Sequence, residues 1–309
     1  MVLPRQVTLV EVGARDGLQN EDVVLSTDDK VELIRRCRAA GLPRIEVASF
    51  VHPRRVPQMA DAEAVVDALG PSDPGVSYIG LVLNRRGLER ALATNIDEVN
   101  FVVGATESFN RANAGTSPAE TMVEIESMVG EARAAGLATS VTVSVAFGCP
   151  YEGEVGEAAV TELVARAAAS GVDELALGDT IGVAVPNDVI RLLTAMGPFA
   201  GDARLRCHFH DTRNTAIANV AAALEVGVAT IDSSVGGAGG CPFAPNATGN
   251  VATEDVLYLL DRSGISTGID PGAVIDTGRW LGERIGRDLP GSLARAGWFP
   301  SAPSDGGAL

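Results

Sequence analysis

Aromatic side chains are scarce, 4% of 309 residues, and basic groups are outnumbered, 24 Lys and Arg against 40 Asp and Glu. With so few rings the core has to be built from Ala, Val, Leu and Ile, the composition of strands buried on both faces with helices packed closely on them. Disorder and an all-β sandwich are both poor matches to such a chain. The net charge of −16 and the isoelectric point near 4.6 repel a phosphate backbone, which excludes nucleic acid as a partner. Cysteine is rare and scattered: Cys37, Cys149, Cys207 and Cys241 show no C-x-x-C spacing, so neither a zinc ribbon nor a disulfide framework is expected. A basic or Arg-rich leader and any run of about 18 apolar residues are also missing, so the expectation is a cytoplasmic protein with no membrane partner.

What is present is alternation. Eight short β-branched runs are separated by Ala-rich helical patterns, with strands expected at Val7–Val12, Arg44–Ser49, Val76–Leu83, Glu98–Val103, Ala138–Phe147, Glu174–Leu177, Arg204–His210 and Thr230–Ser234. Helices are expected over Asp28–Ala40, Ala60–Leu69, Ser117–Ala135, Gly156–Ser170 and Thr215–Val226, each followed by a glycine that releases the chain. Eight βα units without a linker or a shift in composition point to one α/β domain, a (β/α)8 TIM barrel over about residues 5–264. A helical appendage over about 265–298 and a loose tail over 299–309 follow. The competing open doubly wound sheet needs a G-x-G-x-x-G turn, whereas the first strand runs into Gly13-Ala14-Arg15-Asp16-Gly17.

Reactive groups of such a barrel gather at the C-terminal strand ends. Here those ends carry Arg15 and Asp16 (first), Glu46 (second), Asp179 (sixth), His208 and His210 (seventh), and Cys241 with Asn250 beyond the eighth. His208 and His210 are two apart, which puts both imidazoles on one face of a strand. A stacked core pair is one reading. The other is a metal site in which the two imidazoles join Asp16, with Asn250 offering a fourth oxygen, a thiolate-free set suited to Mg²⁺ or Mn²⁺, with Zn²⁺ or Fe²⁺ as alternatives. Arg15 is either a surface ion pair with Asp16 or, if Gly13 and Gly17 turn the backbone sharply, a cation pointed into the mouth to meet a developing enolate oxygen. Glu46 and Asp179 either cap the next helix or orient Arg15 and a metal-bound water. Cys241 is either a small buried hydrophobe or, following the Gly236–Gly240 segment, a residue on a mobile lid. Cys149 reads as structural.

Over roughly residues 5–270 the chain resembles the 3-hydroxy-3-methylglutaryl-CoA lyases, within the barrel metallolyases that include isopropylmalate synthase. The likeness rests on EVGARDGLQNE, IEVASFV, VPQM, GCPYEG, LGDTIGV, HFHDT and DSSVGGAGGCPFAPNATGNVATED. It implies a divalent metal on Asp16, His208, His210 and Asn250, an enolate held by Arg15, and support from Glu46 and Asp179. It further implies proton transfer at His208 and at Cys241 on the lid. The implied reaction splits 3-hydroxy-3-methylglutaryl-CoA, or a close 3-hydroxy-3-substituted glutaryl-CoA, into acetyl-CoA and a 3-oxo acid such as acetoacetate. The expected partners are an acyl-CoA substrate and a second copy of the chain in a dimer. A carboligase joining an acyl-CoA to a 2-oxo acid is the alternative enzyme. A retired scaffold barrel is disfavoured by the complete set of acid, base and metal residues. Two positions depart from the family pattern: Asp22 stands where it has lysine, and Arg213-Asn214 where it has Tyr-Gly.

Overall fold

The strands alternate two kinds of residue, and the alternation fixes which way each faces. In the computed structural model, which describes residues 3–240 and 249–299, Val99, Phe101 and Val103 of one strand are fully buried against helices, as are Leu175 and Leu177 of another. The intervening residues point into a closed barrel. Its eight parallel strands lie in chain order: β1 (Thr8–Glu11), β2 (Arg44–Ser49), β3 (Ser77–Val82), β4 (Glu98–Gly104), β5 (Ala138–Ser144), β6 (Glu174–Asp179), β7 (Arg204–Phe209) and β8 (Thr230–Ser233). β8 closes on β1 with Thr8 opposite Thr230. The expected (β/α)8 barrel is the fold observed.

Around it run α1 (Thr27–Ala39), α2 (Ala62–Leu69), α3 (Arg85–Leu92), α4 (Glu107–Ala114), α5 (Pro118–Ala134), α6 (Glu157–Ala169), α7 (Pro186–Met196), α8 (Ala216–Glu225) and α9 (Thr253–Arg262). The five helices expected from their glycine stops are present, and those glycines have φ of 70° to 94°. Four outer helices were not expected: α3 ends on Ala93 and α7 runs into a 3₁₀ turn at Gly197–Phe199, neither with such a stop, whereas α4 and α9 are followed by Gly115 and Gly264 with φ of 85° and 73°. The appendage is α10 (Pro271–Ile285) and α11 (Leu293–Ala296). Among the described residues no helix is long and apolar enough to cross a membrane.

Two strand ends differ from expectation by more than one residue, for local reasons. β5 stops at Ser144 rather than Phe147 because Val145 has φ 50°, a left-handed conformation that a β-branched residue adopts only under constraint. Its amide donates to Thr180 Oγ1 at 2.8 Å, which holds it there. β6 runs two residues beyond the expected Leu177, to Asp179, because its pairing with β7 continues through Gly178 opposite His208 and Asp179 opposite Phe209.

The barrel interior is the main surprise, since such interiors are ordinarily filled by branched apolar side chains. Near the N-terminal strand ends Arg44 donates to Glu98 at 2.8 Å and to Glu174 at 2.8 and 2.9 Å. The fully buried Arg206 lies 3.4 Å from Glu174 and 3.5 Å from Asp232. Alternating charge therefore climbs the inside of the barrel, and every member is compensated by its neighbours.

Candidate active site

After β1 the chain winds through a single π-helical turn, Gly13–Gly17, closed by the Gly17 amide donating to the Val12 carbonyl at 3.1 Å. This turn lifts Arg15 and Asp16 over the barrel mouth. Gly13 and Gly17 serve it by close approach, since neither adopts a left-handed conformation. A Cβ on Gly13 would lie 2.6 Å from Glu11 Oε1, and one on Gly17 would lie 3.0 Å from Ser234 Oγ.

Arg15 is buried and clamped. Its Nε donates to Glu46 Oε2 at 2.6 Å, its Nη2 lies 2.5 Å from the same oxygen, and its Nη1 donates to Asp16 Oδ1. Glu46 Oε1 in turn accepts from Asn100 Nδ2 at 3.2 Å. Of the two readings of Arg15, the surface ion pair is therefore excluded. Burial alone would raise the Asp16 carboxyl, but the Arg15 guanidinium and the hydrogen bond and charge of the nearby imidazoles hold it well below the usual carboxylate range.

On β7 the two-residue period delivers both imidazoles to the mouth, 5.1 Å apart between ring centres. Asp16 Oδ2 is 3.9 Å from His208 Nε2 and 3.6 Å from His210 Nε2, and one donor atom from each of the three residues falls within 4.8 Å of the others. Past the barrel the chain returns antiparallel to the end of β7, pairing Asn250 with His210. The Asn250 amide donates to Asp16 Oδ2 at 2.8 Å and to the Ala238 carbonyl at 3.2 Å, leaving its buried Oδ1 without a partner. An orphaned amide oxygen beside a carboxylate and two imidazoles is a donor set that a hard divalent cation satisfies.

Sequence reasoning missed Asp232. Its Oδ2 faces His208 Nδ1 at 3.2 Å, which fixes the ring and turns Nε2 toward Asp16. Burial opposes a charge on His208, but this hydrogen bond and the carboxylates of Asp16 and Asp232 outweigh it and raise its pKa. A lone aspartate in a strand carries no local signature; the register of β7 on β8, His208 opposite Asp232, creates the contact.

The remaining candidates divide. Asp179 does not reach the cavity wall: its two oxygens accept the amides of Val183 and Ala184 at 2.9 and 3.1 Å, so it shapes its own loop and does not orient Arg15. Burial raises its pKa despite those bonds. Cys149 is buried, its sulfur accepting from Thr106 Oγ1 at 3.0 Å, as befits a structural residue. Cys241 lies outside the described residues. Two of the glycines before it are packed against protein, a Cβ on Gly236 meeting Leu289 at 2.4 Å and one on Gly239 meeting Asn250 Nδ2 at 2.8 Å, whereas one on Gly240 would meet nothing within 4 Å. Close packing therefore accounts for Gly236 and Gly239 but not for Gly240. Glu11, another residue the sequence did not single out, braces this loop to β1 by accepting the amides of Gly13 and Val235 at 2.8 and 2.9 Å.

Arg15, Asp16, His208, His210 and Asp232 line one end of a cavity of about 530 Å³. Its far wall, from β2 to β6, offers Ser49, Asn100, Thr142, Ser144 and Thr180, and its rim Asn20, Arg55 and Asn113. The reactive cluster thus occupies one side and a hydroxyl-rich wall the other.

The HMGL-like family model matches residues 6–280. The chain is 41% identical over 290 residues to a hydroxymethylglutaryl-CoA lyase of Bacillus subtilis, covering 94% of this chain and 97% of that protein. It is also 41% identical over 300 residues to an (R)-citramalyl-CoA lyase of Chloroflexus aurantiacus, covering 94% and 95% respectively. Among solved structures, an HMG-CoA lyase from Acinetobacter baumannii in complex with coenzyme A and 3-methylmalate superposes with a TM-score of 0.90 at 35% identity, covering 100% of this chain and 99% of that one.

Proposed function

This chain belongs to the HMGL-like family, and from that premise we propose that it is a carbon–carbon lyase that cleaves 3-hydroxy-3-methylglutaryl-CoA to acetyl-CoA and acetoacetate. The observation that carries the proposal is the convergence of Asp16, His208, His210 and the Arg15 guanidinium on one end of a cavity able to hold an acyl thioester.

Asp16, His208, His210 and Asn250 would hold a divalent cation, Mg²⁺ or Mn²⁺, which when bound polarises substrate oxygens and eases loss of the 3-hydroxyl proton. As that proton passes to a base, the role the family resemblance gives His208, the C2–C3 bond breaks; its electron pair passes into the thioester as an enolate, and C3 becomes the new ketone. Arg15 has five N–H donors. Nε, one Nη1 and one Nη2 hydrogen are committed to Glu46 and Asp16, leaving two for the enolate oxygen. Held by two carboxylates, the guanidinium is oriented before charge develops, the condition for transition-state stabilisation. Ser49, whose buried hydroxyl has no partner, and Thr180, whose Oγ1 already accepts an amide, can donate to the free carboxylate of the acyl chain. The proton finally delivered to C2 is assigned to Cys241 on sequence grounds.

The equal identity to the citramalyl-CoA enzyme supports a second substrate, citramalyl-CoA, processed by the same bond cleavage. Both thioesters, assayed with Mg²⁺ and with Mn²⁺, decide the matter. Release of acetyl-CoA from 3-hydroxy-3-methylglutaryl-CoA at the higher kcat/KM supports the proposal; preference for citramalyl-CoA replaces its substrate, and condensation of acetyl-CoA with a 2-oxo acid without cleavage of either thioester overturns it.

A further inference from the structure

The cavity is lined by six charged or imidazole side chains, and five of them, Arg15, Asp16, His208, His210 and Asp232, belong to the reactive cluster. The sixth is Arg55. It is exposed, whereas Asn100, His208 and Asp232 are buried, so it stands at the mouth and they stand deep. Its one side-chain hydrogen bond runs from Nη1 to the Asn113 carbonyl at 3.3 Å, and it is paired with no described carboxylate. A guanidinium that faces a ligand cavity with most of its donors unspent is a ready partner for an anion.

Its backbone is held in place by hydrogen bonds on either side. The Arg55 amide donates to the His52 carbonyl at 2.8 Å, and three residues on, Gln58 Nε2 donates to the Glu21 carbonyl at 2.5 Å. The Gln58 carbonyl accepts from Lys30 Nζ, also at 2.5 Å, and Lys30 is 3% exposed. A buried ammonium spent on anchoring this stretch keeps the turn that carries Arg55 at the rim, so little backbone ordering is left to occur on binding.

We propose that Arg55 is the phosphate-binding residue of the coenzyme A site. The inference rests on the acyl-CoA reading above. With the thioester at the reactive cluster, the pantetheine arm fills the cavity and the phosphates of the nucleotide emerge at the rim. A chain of net charge −16 repels so anionic a ligand, and Arg55 supplies the local cation that offsets this. Asp22, standing where the family pattern has lysine, supplies none. A competing anion is the free carboxylate of the acyl group, so the test separates the two ends of the ligand.

The full-length protein and Arg55→Ala are titrated by calorimetry with coenzyme A, with pantetheine, which lacks the phosphates, and with free 3-hydroxy-3-methylglutarate. Loss of one charge-assisted hydrogen bond predicts an affinity for coenzyme A lower by roughly tenfold or more, with a flatter dependence on ionic strength and with Arg55→Lys in between. Pantetheine and the free acid bind both proteins alike. Unchanged coenzyme A affinity overturns the proposal, as does an equal loss for pantetheine or a loss confined to the free acid. A wild type that binds coenzyme A through Arg55 yet cleaves neither thioester defeats the lyase reading and leaves the phosphate site standing.

Discussion

His210 offers Nε2 to the Asp16 side and keeps its buried Nδ1 without a partner, a poor arrangement for a core histidine. His210→Ala should therefore lower metal content after dialysis against Mn²⁺ while the far-ultraviolet circular dichroism spectrum stays that of the wild type; undiminished metal would return His210 to the core. Asp232 acts one step back, by holding His208. Asp232→Asn keeps an acceptor but loses the charge, and metal affinity should fall about 10- to 100-fold. Competition against a chelator of known affinity measures this, and an unchanged affinity would assign Asp232 to the charge ladder alone. Sequence reading brought out Arg15, Asp16, Glu46, His208, His210 and Asn250 because motif and period are local. It could not see Asp232, whose contact depends on strand register, nor the withdrawal of Asp179, which two backbone amides claim.

At the scale of elements, the site depends on two turns and on what lies beneath them. The π-turn Gly13–Gly17 and the turn after β8 are tied together by Glu11. Beneath the second turn, α10 approaches so closely that a Cβ on Gly278 would sit 3.4 Å from Gly236 Cα. The stretch expected to be an appendage is thus the floor of the active-site loop. Gly239→Ala would force a methyl to 2.8 Å from Asn250 Nδ2 at a φ of 125°. We expect a stability loss of about 1–3 kcal/mol together with weaker metal binding. Chemical denaturation and a Mn²⁺ titration report the two effects, and an indifferent variant would show that the loop has room to move. The strand and helix pattern was legible because buried parallel strands and glycine stops repeat along the chain. Helices without a glycine stop, and Val145 ending β5 early, were not, because tertiary contacts decide them.

For the whole molecule, composition foretold an aliphatic core but not a barrel interior of ion pairs, since charged residues in a strand read alike whether they face water or one another. Two buried carboxyls outside that ladder carry a pH signature. Burial pushes both Glu11 and Glu254 up from 4.5 to about 7. A raised carboxyl favours the folded state while protonated, so this stabilisation is complete below about pH 4.5 and is lost as pH rises through about 7. Glu254→Gln, neutral throughout, should thus become more stable relative to wild type between pH 5 and pH 8.5, by roughly 1–3 kcal/mol. Parallel melting curves at the two pH values check the sign, and a constant difference would show that Glu254 ionises normally. The central claim, metal-dependent cleavage of a carbon–carbon bond, is tested most directly by freeing the protein of metal with a chelator, supplying 3-hydroxy-3-methylglutaryl-CoA, and then restoring Mg²⁺ or Mn²⁺. The account predicts acetyl-CoA and acetoacetate in equal amounts, formed only after the metal returns; equal turnover by the metal-free protein, or acetyl-CoA without acetoacetate, would contradict it.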